Sequence, residues 1–384
     1  MNFLNLLLAA LALLSLALVF WQWLAAARFP LHRRVTDLTF APAISLLKPL
    51  KGCDATTPES LQSWFHQNYS GQTQILFGVA DAGDPVCKIV RELIEKNPGR
   101  DAQLTVCAES LGANGKVSTL VQLERLAKHP LILVSDADVR VPPDFLANIA
   151  APLCDSKIGL VNCFYRLANP ATTAMRCEAV AINADFWSQV LQAASLKPLD
   201  FALGAVMLTR RKLLEEIGGF TALANCLADD YQLGHRIAQN GHRIALCPVV
   251  VDCWHPPMSW RGVWKHQLRW ARTIRVCRPA PYFFSILSNA TLWPLLWLMA
   301  SLVLSKTFYF QLIAVACLLV RMGLAKNLQR RFIQSRDNLA PPWLVPVKDL
   351  LQAAVWLGAF LGNTVEWRGQ KKRLWRDGTL IEEK

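Results

Sequence analysis

Leu131-Ile132-Leu133-Val134-Ser135-Asp136-Ala137-Asp138 decides how this chain is read, because an apolar run of strand length ends in two carboxylates one residue apart. A strand this apolar belongs inside a layered α/β sheet, covered on both faces. Ligands of such sheets gather at the carboxyl ends of the strands, where loops converge on one concavity. A lone D-x-D carries little information. Delivered by a buried strand, its second carboxylate comes to where a hard divalent cation can bridge it to phosphate oxygens.

Working outward, apolar runs at 43–47, 74–80, 103–107, 131–135 and 158–164 read as strands, and 85–96, 117–128 and 142–153 read as helices between them. That alternation predicts a largely parallel sheet in an α/β domain over 40–258. Asp81 lies just past the second strand, in Val79-Ala80-Asp81-Ala82-Gly83-Asp84-Pro85. Asp84 is suited to cap the following helix, whereas Asp81 is placed to accept from a nucleotide base. In Gly112-Ala113-Asn114-Gly115-Lys116 a helix N-terminus and an ammonium make an anion seat without Walker A spacing, and a plain turn reads as well. Asp229-Asp230 opens a further amphipathic helix. The helix dipole accounts for one of these carboxylates; the pair would push one pKa upward, as a proton acceptor requires, and either aspartate suits that role.

The 384 residues carry a formal net charge of +13, with apolar content concentrated at both ends. Residues 1–27 contain no charged side chain and exceed the length that crosses a bilayer, which predicts an anchor rather than a cleaved signal. Arg28, His32, Arg33 and Arg34 follow, so the positive-inside tendency puts the middle domain in the cytosol and the chain in the cytoplasmic (inner) membrane as a multi-pass protein. Eleven cysteines without a C-x-x-C pair agree with a reducing compartment. Residues 259–280 read as an amphipathic interfacial helix, with Trp260, Trp264, Leu268 and Ala271 on one face and Arg261, Lys265, Arg269, Arg272 and Arg275 on the other. The C-terminal membrane region, 284–365, is expected to hold spans at 284–304 and 307–324. Lys348 and Asp349 interrupt 343–365, which reads as interfacial or re-entrant and keeps the basic tail 366–384 cytosolic. The positive charge fits an anionic membrane surface, and no nucleic acid partner is expected. His255, beside two prolines, reads as a packed loop residue, with a metal-ligand role as the alternative, and is left out of the metal site.

Several ordered motifs resemble one family. Ser45-Leu46-Leu47-Lys48-Pro49-Leu50-Lys51-Gly52, Asp81 to Pro85, Gly112 to Lys116, Asp136-Ala137-Asp138, Gly218-Gly219-Phe220, Leu227 to Tyr231, Gln267-Leu268-Arg269-Trp270 and Val365 to Gly369 together resemble the ceramide glucosyltransferase-like membrane glycosyltransferases, including bacterial enzymes that glycosylate hopanoids. The resemblance implies a glycosyltransferase A-type, Rossmann-like fold and an inverting transfer of glucose or N-acetylglucosamine from a UDP-sugar to a lipid hydroxyl, of ceramide or hopanoid type. It further implies Asp81 at uracil, Asp136 and less directly Lys116 at the nucleotide or phosphates, Asp138 on Mg²⁺ or Mn²⁺, and Asp230 as base. Gln267, Arg269 and Trp270 would line the acceptor and diphosphate side. Other readings are a processive polysaccharide synthase, which shares the Gln-x-x-Arg-Trp element, and a non-enzymatic lipid transporter or scaffold.

Overall fold

In the computed structural model of the chain, residues 3–304, 308–334, 339–367, 370–375 and 378–382 are described. Two compact units result, each built from separated stretches of sequence.

Pro30–Asn169, Lys197–Pro256 and Gly378–Lys384 form an α/β unit. Its strands are β1 (Ile44–Leu50), β2 (Thr73–Val79), β3 (Asp101–Val106), β4 (Leu131–Ser135), β5 (Val139–Arg140), β6 (Ile158–Leu167), β7 (Val206–Arg210) and β8 (Arg243–Cys253). They make one mixed sheet in the order β3-β2-β1-β4-β7-β6-β8-β5. The half from β3 to β4 is parallel, as the apolar runs predict. Antiparallel β7 then separates β4 from β6, and β8 runs parallel to β6. All five expected strands are present, whereas β5, β7 and β8 lie outside that expectation.

Every residue of β1 is buried, and Leu47 stands opposite Leu76 on one side and Val134 on the other. Phe65, Phe77, Phe145 and Leu133 are buried in the same core. Each such side chain contributes about 1.5–3 kcal/mol by leaving water. The carboxyl end of β4 is thus fixed by packing before any polar contact is considered.

Met1–Phe29, Pro170–Leu196 and Pro257–Asp377 form a helical unit. Helices Phe3–Arg28 and Phe308–Ile333 are long and apolar enough to cross a bilayer. The span expected at 284–304 is not straight: Pro279–Ser288 and Leu292–Val303 meet at a 47° bend. Asn289 explains the break, since its side-chain oxygen accepts from Leu292 N at 2.9 Å and caps the second piece. Thr307, the first residue of the next expected span, lies outside the described residues.

Pro170–Leu196 was expected within the α/β domain, yet it packs with the helices long enough to cross a bilayer. Trp187 stacks on Phe332 at 5.0 Å, and Gln192 accepts from Gln22 and donates to the Leu18 carbonyl. In the segment 343–365 a 17-residue helix, Leu344–Phe360, is followed by strand Thr364–Trp367, which pairs antiparallel with Gln370–Leu374. Arg368 and Gly369 of the tail motif are outside the described residues. Among the described residues of the tail region 366–384, Gln370–Leu374 and Leu380–Glu382 are strands.

Candidate active site

Asp136 and Asp138 follow β4 where the sheet changes direction. Asp136 N donates to Ala205 O at 3.1 Å, just ahead of β7, and Val139 N donates back to Asp136 O across the turn. Beneath the turn lies Lys48 of β1, fully buried, its Nζ donating to Asp136 O at 2.7 Å and Ser135 Oγ at 3.1 Å. Burial pulls the Lys48 ammonium down to about 7, against the opposing fields of Asp138 and Asp136. The same Nζ sits 4.7 Å from the centre of the Trp64 ring. Sequence reasoning assigned Lys48 no role of its own. The signal was present: a lysine among Ile44, Leu46, Leu47 and Leu50 must be buried, and a buried lysine needs partners.

Lys116 is buried between two carboxylates, 2.8 Å from Asp136 Oδ1 and 3.1 Å from Asp229 Oδ2. Burial lowers its pKa, but the combined fields of Asp136 and Asp229 win, and the ammonium is held above its ordinary value. The loop before it is a bracket: Asn114 Oδ1 accepts from Lys116 N and Val117 N, while Asn114 Nδ2 donates to Cys226 O at 2.8 Å. Lys116 thereby ties the Asp136 turn to the segment that leads into Asp229-Asp230.

The two adjacent aspartates separate clearly. Asp229 is buried and paired with Lys116. Asp230 is partly exposed and accepts from its neighbour Tyr231 N at 2.8 Å. Burial, reinforced by Asp229 and opposed by Lys116, raises the Asp230 carboxyl to about 6. Gly204 makes room for it, since a Cβ there would fall 2.6 Å from Asp230 Oδ2. The preceding loop is braced from the far end of the sequence: Leu227 N donates to Gly378 O at 3.1 Å and Leu380 N to Asn225 O at 2.7 Å.

Asp138 faces His255, with Oδ2 3.6 Å from Nδ1. Enclosure in the site raises the Asp138 carboxyl, against the lowering effect of His255. Asn169 holds the histidine loop on both sides, accepting from His255 N and donating to His255 O. His255, expected as a packed loop residue, therefore stands beside the second carboxylate of D-x-D. Among the described residues no group of three or more His, Cys, Asp or Glu is arranged to hold a metal. An Asp and a His can hold one when a diphosphate and water fill the other positions. Their mixed oxygen and nitrogen set suits Mn²⁺ as well as Mg²⁺.

Asp81 is exposed past β2, and its Oδ1 accepts from Gly83 N at 2.9 Å. Asp84 is structural: its carboxylate accepts from Gly52 N at 2.8 Å and from Val86 N at 3.0 Å, linking the turn after β1 to helix Val86–Lys96.

The model of the family described as Glycosyl transferase family 21 matches residues 7–380. The chain belongs to this family. Among curated relatives, ceramide glucosyltransferase 3 of Caenorhabditis elegans is 25% identical over 58% of this chain and 48% of its own. Ceramide glucosyltransferase 1 of the same organism is 24% identical over 57% and 47%. The probable glycosyltransferase YdaM of Bacillus subtilis is 24% identical over 60% and 55%. The chain thus spans about half the length of the curated relatives it matches. Among solved structures, a mannosyltransferase of Pyrobaculum calidifontis, determined with GDP-mannose and Mn²⁺, is similar in fold with a TM-score of 0.56. It is 20% identical, and the match covers 93% of this chain and 97% of that one.

In this family 21 chain, Gln267, Arg269 and Trp270 belong to the helical unit, on helix Trp260–Cys277, which Ser259 caps. Gln267 Nε2 donates to Glu178 Oε1 at 2.7 Å, and His266 Nδ1 approaches the same oxygen at 2.7 Å. Counted as Gln-x-x-Arg-Trp, the element begins at His266, so reading Gln267 as its first residue is off by one. Trp270 lies against Phe186 and His266. Trp264, Leu268 and Ala271 of the expected apolar stripe pack on Val355, Trp356 and Ala359, while Trp260 stays exposed. On the basic face, Lys265 pairs with Glu366 at 2.7 Å, Arg272 donates to Thr364 O and Arg275 to Asn363.

Proposed function

We propose that this family 21 protein is an inverting, metal-dependent membrane hexosyltransferase that moves glucose or N-acetylglucosamine from a UDP-sugar to a lipid hydroxyl of ceramide or hopanoid type. The observation that carries the reading is the division of labour among four aspartates. Asp138 faces a histidine, Asp136 and Asp229 share a buried lysine, and Asp230 has its carboxyl raised to about 6, which suits proton exchange near neutrality.

Asp138, with His255, would hold Mg²⁺ or Mn²⁺ against the donor diphosphate. That ion supplies charge neutralisation for the departing diphosphate. Asp81 takes the base, and Lys116 fixes Asp136 at the nucleotide side. Asp230 accepts the proton of the acceptor hydroxyl as its oxygen bonds to the anomeric carbon, while the bond to the diphosphate breaks and its electron pair leaves with UDP. One displacement inverts the centre and needs no enzyme nucleophile. The lipid acceptor is taken by the helical unit, with Gln267, Arg269 and Trp270 lining its cleft. The helices able to span a bilayer support a multi-pass protein of the cytoplasmic membrane, its α/β unit in the cytosol.

The test is transfer of labelled sugar by the purified protein with Mn²⁺ or Mg²⁺, from UDP-glucose or UDP-N-acetylglucosamine, to ceramide or bacteriohopanetetrol in nanodiscs. One pairing is expected to yield a glycolipid, with activity lost in EDTA. Absence of product from every pairing, with UDP-sugar binding intact, would overturn the lipid-acceptor reading.

A further inference from the structure

Lys48 is a buried cation of the α/β unit to which the transfer chemistry gives no task. It lies in β1, where every residue is buried, among Leu46, Leu47 and Leu50. An ammonium taken out of water there is costly, and an apolar side chain of the same length would pack at least as well. Its Nζ meets a carbonyl, a hydroxyl and an indole face: Asp136 O at 2.7 Å, Ser135 Oγ at 3.1 Å and the Trp64 ring, 4.7 Å from its centre. None of the three is a carboxylate, so an ion pair does not explain the burial. The acidic groups that act on it across space are Asp138 and Asp136, the two carboxylates of the D-x-D turn.

Trp64 reaches the other end of the same turn. It belongs to helix Thr57–Phe65, is buried, and its Nε1 donates to Val139 O at 3.1 Å. Its neighbour Ser63 accepts from Val141 N at 3.2 Å, and Gln67 Nε2 donates to Pro142 O at 2.9 Å, so this side of the turn is anchored over several residues. Lys48 thus grips the chain where it leaves β4, and Trp64 grips it where it enters β5, while the ammonium rests on the indole that joins the two grips. Asp138 is carried between them. A carboxylate that must meet a metal and a diphosphate binds them best when its backbone is already in place, because ordering a loose turn subtracts from affinity.

We propose that Lys48 and Trp64 are positioning residues that preset the D-x-D turn, so that Asp138 meets the metal and diphosphate of a nucleotide-sugar without reordering. This assignment rests on the transferase reading above and deepens it. Neither residue touches the donor; both act through the backbone that carries Asp138. Their removal should therefore weaken the metal-dependent part of donor binding and spare the part supplied at Asp81, on the loop after β2. The two negative charges of a nucleoside-diphosphate sugar offset a divalent cation, so loss of the Lys48 charge acts on their complex mainly through the turn.

The full chain in nanodiscs is titrated by calorimetry with UDP-glucose and UDP-N-acetylglucosamine, once in Mn²⁺ and once in EDTA. Lys48→Met keeps the length of the side chain, and Asp136 O keeps its bonds from Ser135 Oγ and Val139 N. In this variant Kd in Mn²⁺ should rise about tenfold, the size of one lost hydrogen bond from a charged donor, while Kd in EDTA and Tm stay close to wild type. Trp64→Phe keeps a ring beneath the ammonium but loses the bond to Val139 O, and should show the same split at about fivefold. Should Lys48→Met fail to fold, Trp64→Phe carries the test. An unchanged Kd in Mn²⁺, or an equal rise in Mn²⁺ and EDTA, would overturn the assignment and leave the transferase reading standing. A wild type that binds neither UDP-sugar more tightly in Mn²⁺ than in EDTA would overturn both.

Discussion

Two charge clusters, one in each unit, obey different arithmetic. In the α/β unit Asp136, Asp138, Asp229 and Asp230 face Lys48 and Lys116, so carboxylates outnumber ammoniums. In the helical unit Asp185 and Asp349 face Arg321 and Lys348, one for one. A surplus of negative charge in a partly enclosed site calls for a cation and a proton, as the proposed transfer would need. A balanced cluster calls for neither and links the helices that carry it. The sign of the imbalance therefore separates a cluster suited to a cation from one that is already neutral.

Three measurements would break or sharpen that contrast. Asp230→Asn keeps the shape but removes the base; transfer should fall by about 10²–10⁴-fold while UDP-sugar binding, read by calorimetry, stays close to wild type. Near-normal transfer would remove Asp230 from the chemistry. Arg321→Met leaves two buried carboxylates to share the one ammonium of Lys348 and should destabilise the protein by about 3–5 kcal/mol, seen as a lower Tm in detergent. An unchanged Tm would mean that the cluster does not hold the helices. The smallest effect is on pH. With the Asp230 carboxyl raised to about 6, transfer should fall as pH drops through 6 and level off above it. The same raised value makes this group weaken the folded state as pH rises from 3.8 to about 6, with the full penalty present above that. Lys116 lowers the Asp230 pKa, so Lys116→Met should move the acid limb upward. A limb that stayed in place would place the titrating group elsewhere.

The parallel half of the sheet was legible because its strands are unbroken apolar runs between helices. Strand β8 escaped because Pro248 lies inside it, and proline argues against an inner strand. The sheet accommodates Pro248 at a register shift, where Cys163 pairs with Cys247 and Tyr165 with Val251. In the site, Asp136, Asp138 and Asp230 could be read because each ends a strand or opens a helix. The role of His255 could not, since its approach to Asp138 depends on Asn169 bracing a loop 86 residues further along the chain. Lys348 and Asp349 were visible as interruptions of an apolar segment, but their meeting with Asp185 joins residues more than 160 positions apart, which leaves no mark in composition.

The contacts of Gly378 and Leu380 with residues 225–227 set an order of assembly. The stretch that carries Asp229 and Asp230 is made early, yet its brace is translated only after every helix of the other unit. During synthesis the α/β unit can close its sheet while its acidic loop still lacks this support. The brace thus reaches the loop only once the helices of the other unit have been synthesised.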